Sequence, residues 1–401
     1  MWYSFRNGGT LTSALLVEVS LHRRCYTLLT TSTRLPDVEA VNVETSVLVV
    51  GASGLVGTAV VREYLTTGAA VTAVSRRPPG VPLQDRLRHL PLDLLDATAT
   101  ADALRATGPF DAVVYAAAFE KPGLVPGWSD PDQMQTNLDM LRNTLEGLVD
   151  RPPRHITTMQ GTKAYGVHLH RIPLPARERA PRDPHPNFYW LQEDLLREYC
   201  ARHGSEWTIF RPVQVVGPAF GVAYCTPPVI GAFAALARES GEDFSFPGGR
   251  FAPVHTVDVG LVARAVVWAR AEQRAFGEHF NLTNGEVFSW PEIWPSFAEV
   301  FGITAAEPKR QRLTDFFARH ADTWDRVVHR HGLRPLPLDA VLGTSHQYAD
   351  YTFGADLVGH ADPALVSTVK VKQAGFTEVR DTEAVFREAL TGLMELRVLP
   401  H

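Results

Sequence analysis

Four apolar residues followed by three evenly spaced glycines, "VLVVGASGLVG" over residues 47–57, constrain this chain more than any other stretch. Val47 to Val50 form an apolar run without alternation, the mark of a strand buried on both faces of a parallel sheet. The run "TAVVREYLTTG" that follows reads as a helix ending at Gly68. A G-x-x-G-x-x-G set between a buried strand and a helix start has the context that a dinucleotide-binding loop requires. Its small residues let the backbone of Gly51, Ser53, Gly54, Leu55, Val56 and Gly57 approach a pyrophosphate. The helix N-terminus offers that group partial positive charge.

The rhythm then repeats. "AVTAVSRRP" (70–78) reads as a second strand, and "RHLPLDLLD" (88–96) contains a third. A helix near 98–107 leads to a fourth strand, "DAVVYAAAF" (111–119). Residues 131–149 carry apolar side chains at helical spacing. "RHITTMQG" (154–161) is the fifth strand, a helix opens near Tyr189, and "EWTIFRPVQVVGP" (206–218) is the sixth. Alternating strands and helices predict an α/β fold, a Rossmann-type doubly wound parallel sheet with a smaller C-terminal substrate-binding lobe. The boundaries expected are a flexible extension over 1–45, an NADP-binding core over 46–217, and a lobe over 218–401 with segments returning to the core. Past Gly217 the chain becomes rich in Pro, Gly and aromatic residues and the alternation turns irregular.

Composition removes several classes. Basic and acidic residues number 39 and 44 and are well mixed, with a net charge of −5, so no basic stripe for nucleic acid is present. The three cysteines, Cys25, Cys200 and Cys225, have no Cys-x-x-Cys spacing and point to a reducing compartment. His168 and His170 lack a third ligand at metal spacing, so no metal is expected. No apolar run is long enough to cross a bilayer. The expected location is cytoplasmic, with a homodimer possible.

The end of the second strand chooses the cofactor. Readers of NAD place a carboxylate there for the ribose hydroxyls, whereas this chain has Ser75, Arg76 and Arg77. Guanidinium groups pair with a 2′-phosphate, which predicts NADPH. Asp93 and Leu94 lie where the adenine is expected, and Ala116 and Ala117 leave room for the cofactor. Met159, Tyr189 and Val215 complete the expected cofactor contacts.

None of the ten tyrosines has a lysine four residues on; after Tyr189 that place is held by Glu193. Of five lysines, Lys163 in "MQGTKAYG" follows the carboxyl end of the fifth strand, the edge that faces the ligand crevice in such sheets. Tyr189 and Lys163 are therefore the expected catalytic pair, with Tyr165 as a second phenol at the same edge. Glu193 and Asp194 are neighbours on a helix, point about 100° apart, and do not form an acid–base pair. Phe119, Tyr165, Trp190, Phe220 and Phe246 are expected to line an apolar substrate pocket.

"GTKAY" followed by "NFYWLQED" resembles the progesterone 5β-reductase/iridoid synthase-like family of atypical short-chain reductases. "VGASGLVG", "SRRP", "FRPVQVVG", "FSFPG", "FNLTNGEVFSW" and "LVSTVKVKQAGF" follow in the family's order, over roughly residues 46–400. The chain departs from plant members at Trp190, where a second tyrosine is usual, and at Met159, where glutamine is common. The resemblance implies NADPH-dependent reduction of the carbon–carbon double bond of a small apolar enone or enal, with catalysis by Tyr189 and Lys163. The same site would serve 1,2-reduction of a ketone or aldehyde. The rivals are a non-catalytic NADP-binding sensor and a sugar-nucleotide epimerase, which would want the absent Tyr-x-x-x-Lys.

Overall fold

The two faces of the first strand explain why it is apolar throughout. In the computed structural model, which describes residues 45–82, 84–121, 126–357 and 362–401, β1 (Ser46–Val50) lies in the middle of a parallel sheet. Val47 and Val49 pack into the core on one side, and Leu48 and Val50 into the core on the other. The remaining strands are β2 (Ala70–Val74), β3 (Leu87–Leu90), β4 (Ala112–Tyr115), β5 (His155–Met159), β6 (Glu206–Pro212) and β7 (Glu278–Leu282). They are ordered β7-β6-β5-β4-β1-β2-β3. The order reverses between β1 and β4, which places the ligand crevice at the carboxyl ends of those strands. The flexible extension expected over 1–45 falls outside the described residues apart from Thr45.

Helices cover both faces. On one side α1 (Leu55–Thr66) packs on α6 (Val259–Ala271); on the other lie α2 (Ala97–Thr107), α3 (Pro131–Glu146) and α4 (Phe188–His203). Side-chain oxygens of Asp96, Asp130, Asn187 and Asp258 accept from the first free N–H groups of α2, α3, α4 and α6. α1 has no such cap: Gly54 stands at its N-cap and its first turn carries no acid.

The chain after Gly217 divides. α6 and β7 return to the sheet, while α5 (Thr226–Ser240) and the helices Trp290–Val300 and Thr382–Glu395 enclose a second core. That core is dominated by aromatic rings, Trp290, Trp294, Phe297 and Phe353 among them.

Two expectations need correction. The sixth strand does not run to 218. It ends at Pro212, which has no N–H for the ladder, and Gln214–Val216 pairs instead with Thr256–Asp258 in a separate two-stranded sheet. The third strand stops at Leu90, before Pro91, and Asp93 to Asp96 form the turn that caps α2.

Candidate active site

The glycine loop is shaped by close approach. Gly51 has φ +82, and a Cβ there would lie 2.6 Å from the Ala117 nitrogen. A Cβ on Gly57 would sit 2.2 Å from the Gly51 oxygen. Both positions exclude any side chain, so β1, α1 and the end of β4 come together as bare backbone. Ser53, Leu55 and Val56 are partly buried around the turn, and Ala116 donates its N–H to the Val50 oxygen at 2.8 Å. This cradle, with the uncapped start of α1, fits a pyrophosphate group.

At the end of β2, Ser75 is buried and its hydroxyl donates to the Arg77 carbonyl at 2.6 Å. Arg76 and Arg77 are exposed, and no ion pair engages either among the described residues. Asp93 is exposed, whereas Leu94 packs in the core. Met159 ends β5 and Val215 lies in the short strand beyond β6; both are partly buried on the α1–α6 side.

The two candidate catalytic residues come from separate segments and converge. Asn187 explains how: its Oδ1 accepts from the Tyr189 N–H at 3.0 Å, which starts α4, and its Nδ2 donates to the Lys163 carbonyl at 3.3 Å. One buried amide thus ties the first turn of α4 to the turn after β5 (Thr162–Tyr165). The Tyr189 hydroxyl lies 3.3 Å from where a Cβ on Gly161 would be. Its ring meets the Trp128 ring edge-on at 5.2 Å between centroids.

Lys163 does not bond Tyr189. Its ammonium stands 3.7 Å above the Trp128 ring and donates to the Tyr224 hydroxyl at 3.2 Å. Tyr224 in turn donates to the Glu120 carboxylate and accepts from Trp128 Nε1 at 3.2 Å. Tyr224 has φ 62, a left-handed backbone that non-glycine residues rarely adopt. Burial brings the Lys163 ammonium down to about 7, against the pull of the Glu120 carboxylate. Burial raises Glu120, and Lys163 and the Tyr224 hydroxyl oppose it. Burial and then the charge of Glu120 push the Tyr189 phenol up, so it stays protonated across the neutral range. Lys163 does not offset this rise, because its ammonium is spent on Tyr224 and Trp128.

Glu193, standing where a lysine would follow Tyr189, is a brace. It is 3% exposed and is reached by Gln160 (2.9 Å), Arg182 (2.8 Å), Arg197 (3.0 Å) and His279 (3.1 Å). Burial would raise its carboxyl, but His279, Arg182 and Gln160 hold it well below the usual carboxylate range. Gln160 also accepts from Arg211 Nε at 2.7 Å, so α4 is fixed to the ends of β5 and β6.

Next to this cluster a cavity of about 440 Å³ opens between the sheet edge and the lobe. Thr162, Val213 and Gln214 form its inner wall; Arg250, Tyr348 and Tyr351 face them from the lobe. None of the five expected pocket residues lines it. Phe246 is 1% exposed among Trp294 and Phe353, and is core. Phe220 packs on the lobe's core under Arg334. The Tyr165 hydroxyl is committed to Asn281 at 2.7 Å. Trp190 stacks with Arg182 and Arg211 in the Glu193 network. Phe119 is half-buried beside Glu120, its backbone held on both sides by Asn137. Sequence reasoning missed Glu120, Trp128 and Tyr224, which come from three segments without a motif. Among the described residues no group of His, Cys, Asp and Glu could hold a metal ion, and no helix is long and apolar enough to cross a membrane.

The sheet order, the glycine cradle and the crevice define a nucleotide-dependent enzyme of the extended short-chain dehydrogenase/reductase class. The chain belongs to the NAD dependent epimerase/dehydratase family, whose model matches residues 47–283. Within that class its relatives include progesterone 5β-reductase/iridoid synthase-like reductases, at under 30% identity. It is similar to the (S)-8-oxocitronellyl enol synthase of Nepeta racemosa, 26% identical over 383 residues, covering 90% of this chain and 94% of that protein. It is equally similar, at 26% over 381 residues, to the 3-oxo-Δ4,5-steroid 5β-reductase of Arabidopsis thaliana, covering 89% and 94% of the two chains. The fold matches a Thermus thermophilus UDP-glucose 4-epimerase solved with NAD, at a TM-score of 0.61 and 20% identity, covering 87% and 99% of the chains. The protein is an NAD(P)-dependent oxidoreductase by family.

Proposed function

We propose that this protein is an NADPH-dependent reductase of the carbon–carbon double bond of an α,β-unsaturated carbonyl compound. The observation that carries the reading is the Tyr189 phenol. It is held protonated at the carboxyl edge of β5 beside a cavity wall, with Lys163, Tyr224 and Glu120 adjacent and without the Tyr-x-x-x-Lys pair. The relatives support the choice of reaction, one of them being named for an enone steroid.

The glycine cradle with Arg76 and Arg77 would hold NADPH, which when bound would supply hydride for the β-carbon of the substrate. Negative charge then develops on the carbonyl oxygen, and a proton from solvent taken up at the α-carbon collapses the enolate to the saturated carbonyl product. Tyr189 donates a hydrogen bond to that oxygen, an effect on the order of 3 kcal/mol in a dry site. Such a donor works while its proton stays on, so the raised phenol suits the task. The Glu120–Tyr224–Lys163 chain keeps a positive charge and a proton beside it.

Within that chain Lys163 is brought by burial to about 7, which gives a pH signature. Loss of the Lys163 proton as pH rises through about 7 removes the positive charge from the site, so kcat/KM falls on the alkaline side. Glu120→Gln deletes the carboxylate that favours the ammonium, and the alkaline limb moves to lower pH. A profile flat from pH 6 to 9 in both proteins contradicts the role given to Lys163. The proposed reaction itself is tested by incubating the protein with NADPH and a simple cyclic enone: mass spectrometry is expected to find the saturated ketone. An allylic alcohol, or no consumption of NADPH, refutes it.

A further inference from the structure

The cavity has an electrostatic asymmetry that the proposed reaction does not use. Its inner wall, at Thr162, Val213 and Gln214, is uncharged. Its outer wall carries Arg250, half-buried and flanked by Tyr348 and Tyr351, whose phenols the guanidinium biases toward ionisation against the stronger effect of burial. No ion pair engages Arg250 among the described residues. The acids nearby in the lobe are already committed. Asp350 accepts from the backbone N–H groups of Leu313 (2.6 Å) and Thr314 (3.1 Å). Asp356 pairs with Arg312 at 3.3 Å, and Asp362 pairs with Arg171 at 3.6 Å. The short stretches 122–125 and 358–361 contain no acidic residue.

Three histidines line the cavity, and one of them, His170, lies 2.9 Å from the Asp183 carboxylate. Burial brings His168 and His255 down to about 4, so both are neutral near pH 7. His255 Nε2 accepts from the Val366 N–H at 3.3 Å, which leaves its other nitrogen as the protonated one. Among the described residues, Arg171 of the lining is paired with Asp362, and Arg250 is the lining cation without an ion pair. A guanidinium in a partly desolvated cleft pairs with a carboxylate far better than with a neutral carbonyl.

We infer that the substrate carries a carboxylate at the end remote from its enone, and that Arg250 binds it. This rests on the proposed reductase reading, which it deepens by naming the substrate class. Arg250 then acts in binding and orientation, setting how deeply the enone reaches toward Thr162 and the Tyr189 edge.

The test compares a linear enone ending in a carboxylate with the methyl amide of the same length, both reduced with NADPH. For the unmodified protein the acid is expected to show a KM lower by about tenfold, the size of one charge-assisted contact. That ratio should shrink as salt is raised. Arg250→Gln is expected to bring the acid-to-amide ratio to about one, and Arg250→Lys to keep part of it. Equal KM values for the two probes, or a ratio that survives Arg250→Gln, overturns the inference while leaving the reductase reading intact. If neither probe is reduced, the reductase reading fails, and calorimetry with the saturated acid decides the inference separately. Binding lost in Arg250→Gln upholds a carboxylate site, and binding equal in both proteins, or absent from both, overturns it.

Discussion

Tyr189→Phe lowers kcat/KM for an enone by roughly one to three decades, the loss expected when one donor to a developing oxyanion is removed from a dry site. The effect falls mainly on kcat, because the ground-state carbonyl carries less charge than the enolate that follows hydride arrival. The ring itself is preserved, so its contact with Trp128 and the packing of Phe188 at the start of α4 remain. Stability is expected to change little. Measuring kcat and KM with a cyclic enone, alongside a thermal melt, separates the chemical loss from misfolding. An unchanged kcat removes Tyr189 from the reaction and returns Tyr165 or Tyr224 to consideration, of which Tyr224 has the charged partners.

Replacing Arg76 and Arg77 together by alanine raises the KM for NADPH by about 100-fold while moving the KM for NADH far less. The reasoning is electrostatic. Both guanidiniums stand exposed at the carboxyl end of β2, and no ion pair engages them among the described residues, so their loss leaves no buried charge unpaired. A 2′-phosphate is the one feature that distinguishes the two coenzymes, and in the proposed mode these two guanidiniums receive it. The contrast between coenzymes is the readout, since a general disturbance of the glycine loop would weaken both alike. Equal losses for NADPH and NADH contradict the assignment.

Much of the core was legible because its strands are buried on both sides. Val47 to Val50 read as a strand without ambiguity, since alternate residues feed two separate cores and none is free to be polar. That Tyr189 and Lys163 lie near one another at the sheet edge was legible, although what joins them was not. Their connection runs through the amide of Asn187 and the ring of Trp128, and neither leaves a periodic signal. β7 was missed because "EHFNL" is short and largely polar. Its polarity has partners elsewhere: Glu278 pairs with Lys370, His279 with Glu193, and Asn281 with Tyr165. The pocket was the poorest part of the reading. An aromatic residue in a Pro- and Gly-rich segment serves a core as readily as a cavity, and Phe246 and Phe220 went to the core of the lobe. What lines the cavity instead is a mixed set of histidine, arginine, tyrosine and small residues with no sequence pattern at all.

Glu193 shows how one substitution at a familiar spacing changes a site's construction. A lysine four residues after Tyr189 would bring the cation to the phenol along a single helix face. With a carboxylate there, the helix is instead bolted to β5, β6 and β7 through Gln160, Arg211 and His279. Lys163 stands instead in the turn after β5, where it donates to Tyr224, itself bonded to Glu120.

The central claim is tested most directly by following hydrogen from coenzyme to product. With NADPH deuterated at the reactive position of its nicotinamide and a cyclic enone as substrate, NMR of the product is expected to find deuterium on the β-carbon of a saturated ketone. Deuterium on the carbinol carbon of an allylic alcohol, or a coenzyme that binds and is never consumed, would contradict it.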